Sequence, residues 1–210
     1  MQISLLPLFQ GMGQYDINEV VAHTRFNFET VGEGCHIVVA GEECQGLVYI
    51  LSGDYVLRHE AVNGDYVMTE WLSGEMLVQP ERLYGLNQHY TIDITALTPC
   101  PLMTVGKEEV QKLLSKFAIF RLNLLNRLSA DVQRGNDVTW NIECQGLEMR
   151  IRQFLLHRCH ILKGEKELRI RMTTLADYLG DSRLNVSRAL NKLQDDGLLT
   201  LHRGRICFSV

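Results

Sequence analysis

Along Thr173–Val210 (TTLADYLGDSRLNVSRALNKLQDDGLLTLHRGRICFSV), Arg183, Asn185, Arg188 and Lys192 recur on one side of a helical repeat. The other side of that repeat carries Val186, Ala189, Leu190 and Leu193. An arginine one residue past a helix cap projects from the helix end and can give two parallel hydrogen bonds to guanine O6 and N7. Ser182 is the expected cap and Arg183 that arginine. Asn185 can bond a base edge or a phosphate, and Arg188 can reach a base or the backbone. Ser182, Thr173 and the helix-end amides suit phosphate, which positions a protein on DNA without specifying sequence. Arg203 and Arg205 flank Gly204 and would meet adjacent backbone or minor groove. This chemistry is recognition of duplex DNA. A winged helix that docks a protein, or a ligand-sensing scaffold, is the alternative.

These residues need a helix, a tight turn, a second helix and a hairpin to hold them. Thr173 or Thr174 is read as the cap of the first helix, with Asp177 in its first turn and Leu175, Ala176 and Leu179 facing inward. Gly180 permits the turn, and Gly197 ends the second helix at the position after its C-cap. LLTLHRGRICF then forms two wing strands around Arg203-Gly204.

Upstream, Phe26–Val105 alternates short β-rich runs with glycine turns, which predicts a small antiparallel barrel or roll. Asn63-Gly64 predicts a two-residue hairpin turn with positive φ at both positions. From Lys107 the texture becomes helical, with Leu113, Phe117, Phe120, Leu124, Leu128 and Val132 along one side. That stripe predicts a long helix over about 107–134. It either lies on its own domain or forms a seam between two subunits. Gly135-Asn136-Asp137 opens an expected hinge reaching roughly to Glu143, followed by a helix over Gly146–Ile161 and a strand over Glu167–Met172.

The chain has 210 residues and a formal net charge of −4, a sign that does not favour a polyanion. The charge is unevenly divided, however. Cys144–Val210 holds 12 Lys+Arg and 7 Asp+Glu, or +5, and the preceding residues carry −9. Such asymmetry is expected where only one end meets DNA. No run of eighteen apolar residues appears, and MQISLLPLFQGMG lacks a basic n-region and an A-x-A site, so a cytoplasmic protein without a membrane partner is expected. The six cysteines form no C-x-x-C pair and read as reduced, mostly buried residues. His157 and His160 lie three apart with no second ligand group, so no metal site is expected. No catalytic triad, P-loop or dinucleotide fingerprint is legible, and an enzyme is not expected.

Four segments together resemble the Crp/Fnr superfamily over nearly the whole chain. L-P-L-F-Q-G at Leu6–Gly11 resembles its N-terminal opening and V-Y-I-L-S-G-D at Val48–Asp54 its barrel core. S-G-E at Ser73–Glu75 resembles the start of its phosphate-binding cassette. L-x-x-x-L-G-x-S-R-x-x-V-x-R-x-L from Leu175 resembles its DNA-reading unit, the most specific of the four. The resemblance implies an α+β chain with three parts. Residues 1–143 would hold a cyclic-nucleotide-binding-like sensor β-roll of the double-stranded β-helix or jelly-roll type, with the long dimerisation helix. Residues 144–210 would be a winged helix-turn-helix. It further implies a homodimer seamed at Leu113, Phe117, Phe120, Leu124 and Leu128, a small-molecule or redox effector, and RNA polymerase as a partner.

This chain departs from the family pattern at two places. Ser182-Arg183-Leu184 stands where activators of the family carry Ser-Arg-Glu, and a leucine touches a thymine methyl instead of accepting from cytosine N4. In the cassette, the arginine-containing pair is replaced by Tyr90-Thr91, with Arg82 nearby at a different spacing. A cyclic phosphate thereby loses its charge-assisted partner, so cyclic AMP is not the expected effector. Gly74, Glu75, Arg82, Tyr90 and Thr91 then mark either a barrel turn or a pocket remodelled for another small molecule. The cysteine cluster of iron–sulfur members is absent, and no haem signature is legible.

Overall fold

A computed structural model describes residues 3–140 and 146–210, with the side chains of 135–140 left aside. Two single helical turns, Ile3–Leu5 and Pro7–Phe9, precede α1 (Gln14–His23). Then come β1 (Phe26–Val31), β2 (His36–Val38), β3 (Gly46–Ile50), β4 (Asp54–Glu60), β5 (Tyr66–Ser73), β6 (Met76–Val78), β7 (Asp93–Ala96) and β8 (Cys100–Gly106). The helices α2 (Lys107–Lys116), α3 (Ala118–Trp140) and α4 (Gly146–His157) lead to β9 (Glu165–Ile170), α5 (Met172–Leu179), α6 (Arg183–Asp195), β10 (Thr200–His202) and β11 (Arg205–Ser209).

The eight early strands make the β-roll that the glycine-punctuated runs predict. One sheet has the order β1-β8-β3-β6, and the other β10-β11-β9-β5-β4-β7-β2. Alternation decides which side chains face inward. In β4, Tyr55 and Leu57 are buried while Asp54 and Arg58 face out. Gly46 sits where a Cβ would lie 2.4 Å from the Val105 carbonyl oxygen, so only a glycine lets β3 and β8 approach there. The β4–β5 hairpin forms at the expected place with a different turn. Gly64 has φ +71°, whereas Asn63 has no positive φ, and Ala61 already pairs with Tyr66. The loop therefore holds four residues with one left-handed position, and not two with both.

The stretch from Lys107 to Trp140 departs from its expected form in three ways. The long helix is broken at Phe117, whose extended backbone (φ −109°, ψ 105°) separates α2 from α3. α3 then runs through Gly135-Asn136-Asp137 to Trp140, so no hinge opens there, and the rest of the expected hinge lies outside the described residues. Lastly, Leu113, Phe117, Phe120 and Leu124 are buried in the roll's own core, with Leu128 packed against it. The N-terminal turns supply the surface these residues need. Phe9 stacks on Phe120 with ring centroids 5.1 Å apart, and Asn123 Nδ2 donates to the carbonyls of Leu8 (3.1 Å) and Gln10 (2.9 Å). The five residues expected at the dimer seam are thus spent within one chain. α4 also stops at His157, short of Ile161, and the following strand starts at Glu165 and yields Met172 to α5.

A second core, built from α4, α5, α6 and the wing, contains Ile151, Phe154, Leu175, Val186, Leu190 and Ile206. It also contains Met68, a residue of β5. Between the cores, His160 donates its backbone N–H to Glu70 Oε1 at 2.6 Å. Burial holds the His160 imidazole below its usual pKa. His59 is lowered too, by burial first and by His160 second. The folded protein therefore binds fewer protons than the unfolded chain once the pH falls below about 6.5, the unfolded histidine value. Stability is lost as the pH drops through that window. The melting temperature is expected to be lower at about pH 5.5 than at about pH 7.5, with a smaller difference in His160→Gln. An undiminished difference in that variant would assign the effect to other groups.

Candidate nucleic-acid interface

β9 leads directly into the first reading helix. Ile170 donates to the Gly204 carbonyl of the wing (3.2 Å), and the next residue, Arg171, occupies the N-cap position of α5 with extended backbone. The Arg171 carbonyl accepts from Leu175 (2.9 Å), so the helix starts earlier than a threonine cap would allow. Neither Thr173 nor Thr174 caps α5, and no side chain does. Thr173 lies exposed in the first turn, and Asp177 falls in the second turn. Leu175, Ala176 and Leu179 are buried as expected, and Gly180 turns the chain with φ +60°.

α6 follows its sequence closely. Ser182 Oγ accepts the Asn185 amide at 3.1 Å, which satisfies one of the free amides at the helix start. Gly197 (φ +73°) closes the other end in a Schellman arrangement. Its N–H donates to Gln194 O (2.9 Å), and Leu198 N–H donates to Leu193 O (3.0 Å). Gln194 Oε1 then accepts from the Leu201 amide at 2.7 Å, which fixes the wing against the helix. Val186, Ala189, Leu190 and Leu193 are buried, and Arg183, Leu184, Asn185, Arg188 and Lys192 are exposed.

Exposure alone does not make these residues equivalent. Among the described residues, Arg183, Arg188 and Arg203 have no acidic partner, whereas Lys192 is held by Glu148 at 2.9 Å and Arg205 by Glu167 at 3.4 Å. The bond to Lys192 holds the Glu148 carboxyl below the usual range and raises the ammonium's pKa. Asn185 Nδ2 donates to Asp181 at 2.9 Å, and this bond, with that from the Ser182 amide, holds the Asp181 carboxyl low. The exposed cations of α6 and the wing without an acidic partner among the described residues are therefore Arg183, Arg188 and Arg203, and Arg171 is exposed at the start of α5. Arg171 was legible only as part of the basic tail. Its place at a helix start emerges from where β9 ends.

The five residues read as an effector pocket are not gathered at one site. Gly74 (φ +86°) turns β5 into β6, and Arg82 lies near Glu81 (3.7 Å). Thr91 is spent within the fold. It donates its amide to Gln79 Oε1 (2.9 Å) and accepts from Gln79 Nε2 at its hydroxyl (2.8 Å). These two bonds anchor the buried Gln79 in a left-handed conformation, φ +32°. Tyr90 is buried in the roll core. Glu75 alone of the five lines a cavity of about 210 Å³, together with Tyr49, Tyr55, Arg127, Ile161 and Lys163. Tyr49 is buried and its hydroxyl has no hydrogen-bond partner among the described residues. Sequence spacing offered no route to this cavity, because its walls come from six separate segments.

A capped reading helix with a wing pinned to it is a winged helix-turn-helix, the shape of a DNA-binding head, and a β-roll lies upstream of it. Residues 149–209 match the Crp-like helix-turn-helix domain. Over 171 residues the chain is 21% identical to the cAMP-activated global transcriptional regulator CRP of Pasteurella multocida, a span of 79% of this chain and 82% of that relative. The fold is that of the catabolite activator protein of Thermus thermophilus, at a TM-score of 0.57 and 21% identity over 97% of this chain and 93% of that one. CprK in its complex with OCPA aligns at a TM-score of 0.50 and 14% identity over 92% and 90%. Residues 149–209 are thus similar to a Crp-like helix-turn-helix domain, and the chain as a whole has the fold of a catabolite activator protein. Among the described residues, no helix is long and apolar enough to cross a membrane.

Proposed function

We propose that this regulator reads a near-palindromic operator as a homodimer, with Arg183 and Arg188 of each α6 in successive major grooves about 34 Å apart. The observation that carries this reading is the exposed guanidinium pair, without an acidic partner among the described residues, on a helix held by a serine cap and a Schellman motif. Arg183 takes the guanine-reading role, Leu184 the thymine-methyl role, and Ser182, Thr173 and Arg203 the phosphate roles, with Asn185, Lys192 and Arg205 reaching DNA after exchanging their present partners. RNA polymerase is the partner through which such a site acts on transcription.

The dimer seam in this reading is the outer face of α3. Leu122, Leu125 and Val132 are 56%, 52% and 62% exposed, and with Ala118 and Ser129 they repeat at alternating spacings of four and three. That is the seam spacing of a two-stranded coiled coil, turned away from the roll. The effector is a small molecule other than cyclic AMP, lodged in the cavity between Tyr49, Tyr55, Glu75 and Arg127. Titrating binding to random duplex DNA with salt tests the reading. A DNA reader loses affinity steeply as phosphate counterions return, whereas a head that docks protein has little DNA affinity to lose.

A further inference from the structure

The β4–β5 hairpin of the sensor roll also extends the sheet of the DNA-reading head. Strand β5 pairs antiparallel with β9, matching Tyr66 with Ile170, Met68 with Leu168, and Glu70 with Lys166. This pairing makes one continuous seven-stranded sheet from the roll to the wing. The ladder is sealed by an ion pair with both side chains fully buried, Lys166 Nζ to Glu70 Oε2 at 2.8 Å. Glu70 also accepts the amides of His160 (2.6 Å) and Ile161 (3.1 Å), and Lys166 donates to the Lys163 carbonyl (2.6 Å). At the hairpin tip, Tyr178 of α5 donates its hydroxyl to Asp65 (2.9 Å), and the Arg158 guanidinium lies over Tyr66, Phe154 and Tyr178.

A buried ion pair adds little net stability, because desolvating two charges offsets their attraction. It does fix register and orientation. A one-residue slip would leave Glu70 and Lys166 each buried without a partner. The hairpin grips the head by β9, the end of α4 and Tyr178, and none of Arg183, Arg188 or Arg203 takes part. α3 shares the core of the roll through Phe120 and Leu124, so the grip fixes the reading helix relative to α3.

We infer that the Glu70–Lys166 latch and the β5–β9 ladder hold the head in its operator-reading orientation. The sensor hairpin is then a strut that sets the spacing of the two reading helices. Preorganisation of this kind favours a duplex with both half-sites and is indifferent to random DNA. The loop that the latch ties down, at Ile161 and Lys163, is also a wall of the cavity shared with Tyr55 and Arg127, so an occupant of that cavity would bear directly on the latch.

This inference rests on the DNA-reading function proposed above, and the test separates the two. Salt-sensitive duplex binding by the parent protein tests the function alone. Two variants then test the latch on a selected two-half-site duplex. Glu70→Lys sets like charges face to face. Val67→Cys/Arg169→Cys, in a Cys35→Ser background, allows a disulfide across an opposed, more exposed pair, verified by mass. The cross-linked form is expected to bind the operator within about threefold of its reduced form. Glu70→Lys is expected to lose about tenfold or more on the operator, less than about threefold on random DNA, and to exchange its β9 amides faster. If cross-linking abolished operator binding and reduction restored it, the docked head would be the silent state and the inference would be overturned. Full operator affinity in a Glu70→Lys protein with fast-exchanging β9 amides would overturn it too. Should that variant not fold, the cross-linked form decides alone.

Discussion

Leu122→Glu/Leu125→Glu is expected to be a folded monomer that has lost about a hundredfold or more of the parent's affinity for a two-half-site operator. Both leucines stand more than half exposed on α3, on the face opposite Phe120 and Leu124. Opposing carboxylates at a coiled-coil seam repel and cannot be desolvated cheaply, so association should fail while the roll's core stays intact. Without the partner head, the second half-site contact loses its high effective concentration, a factor of about 10² to 10⁴ for linked sites. Sedimentation and operator titration read the two effects, and an unchanged melting curve separates them from misfolding. A variant that remained dimeric would remove the outer face of α3 as the seam. The same test on Phe120 would mislead, since that ring is fully buried against Phe9 and its removal would empty a core site.

Arg183→Ala should weaken binding to the preferred operator by ~1–3 kcal/mol and relax specificity at one base pair, leaving random-duplex affinity nearly unchanged. The guanidinium is exposed, has no acidic partner among the described residues, and sits one position past the Ser182 cap. Nothing in the fold depends on it, so the loss is a loss of base contact and not of stability. Selection of bound sequences by parent and variant reads this directly. If the variant kept full discrimination between operator and random DNA, the guanine-reading role would belong elsewhere.

The reading head was the most legible part of the sequence because its signals are local. Ser182, Gly180, Gly197 and the Val186–Leu193 stripe act within a few residues of themselves, and each lies where its spacing put it. The first helix shows where local rules stop. Thr173 and Thr174 are good caps, yet the pairing of β9 with β5 and β11 ends the strand at Ile170 and starts the helix earlier. The same limit explains the dimer stripe. Periodicity reports that Leu113, Phe117, Phe120, Leu124 and Leu128 share a face, but not what that face meets. The N-terminal turns, more than a hundred residues away in the chain, take it. The weaker outer stripe of Leu122 and Leu125 was overshadowed by the richer one. The interdomain sheet and the cavity were illegible for a related reason, since Glu70 with Lys166, and Tyr49 with Arg127, meet only through tertiary pairing.

Duplex affinity measured against salt, for an operator selected from random sequence and for an unselected duplex, tests the central claim most directly. Both affinities are expected to fall steeply with salt, and the operator to be preferred by about a thousandfold or more at physiological ionic strength. Undetectable binding to either duplex at low salt would contradict that claim, and the winged head would then have to be read as a surface for protein.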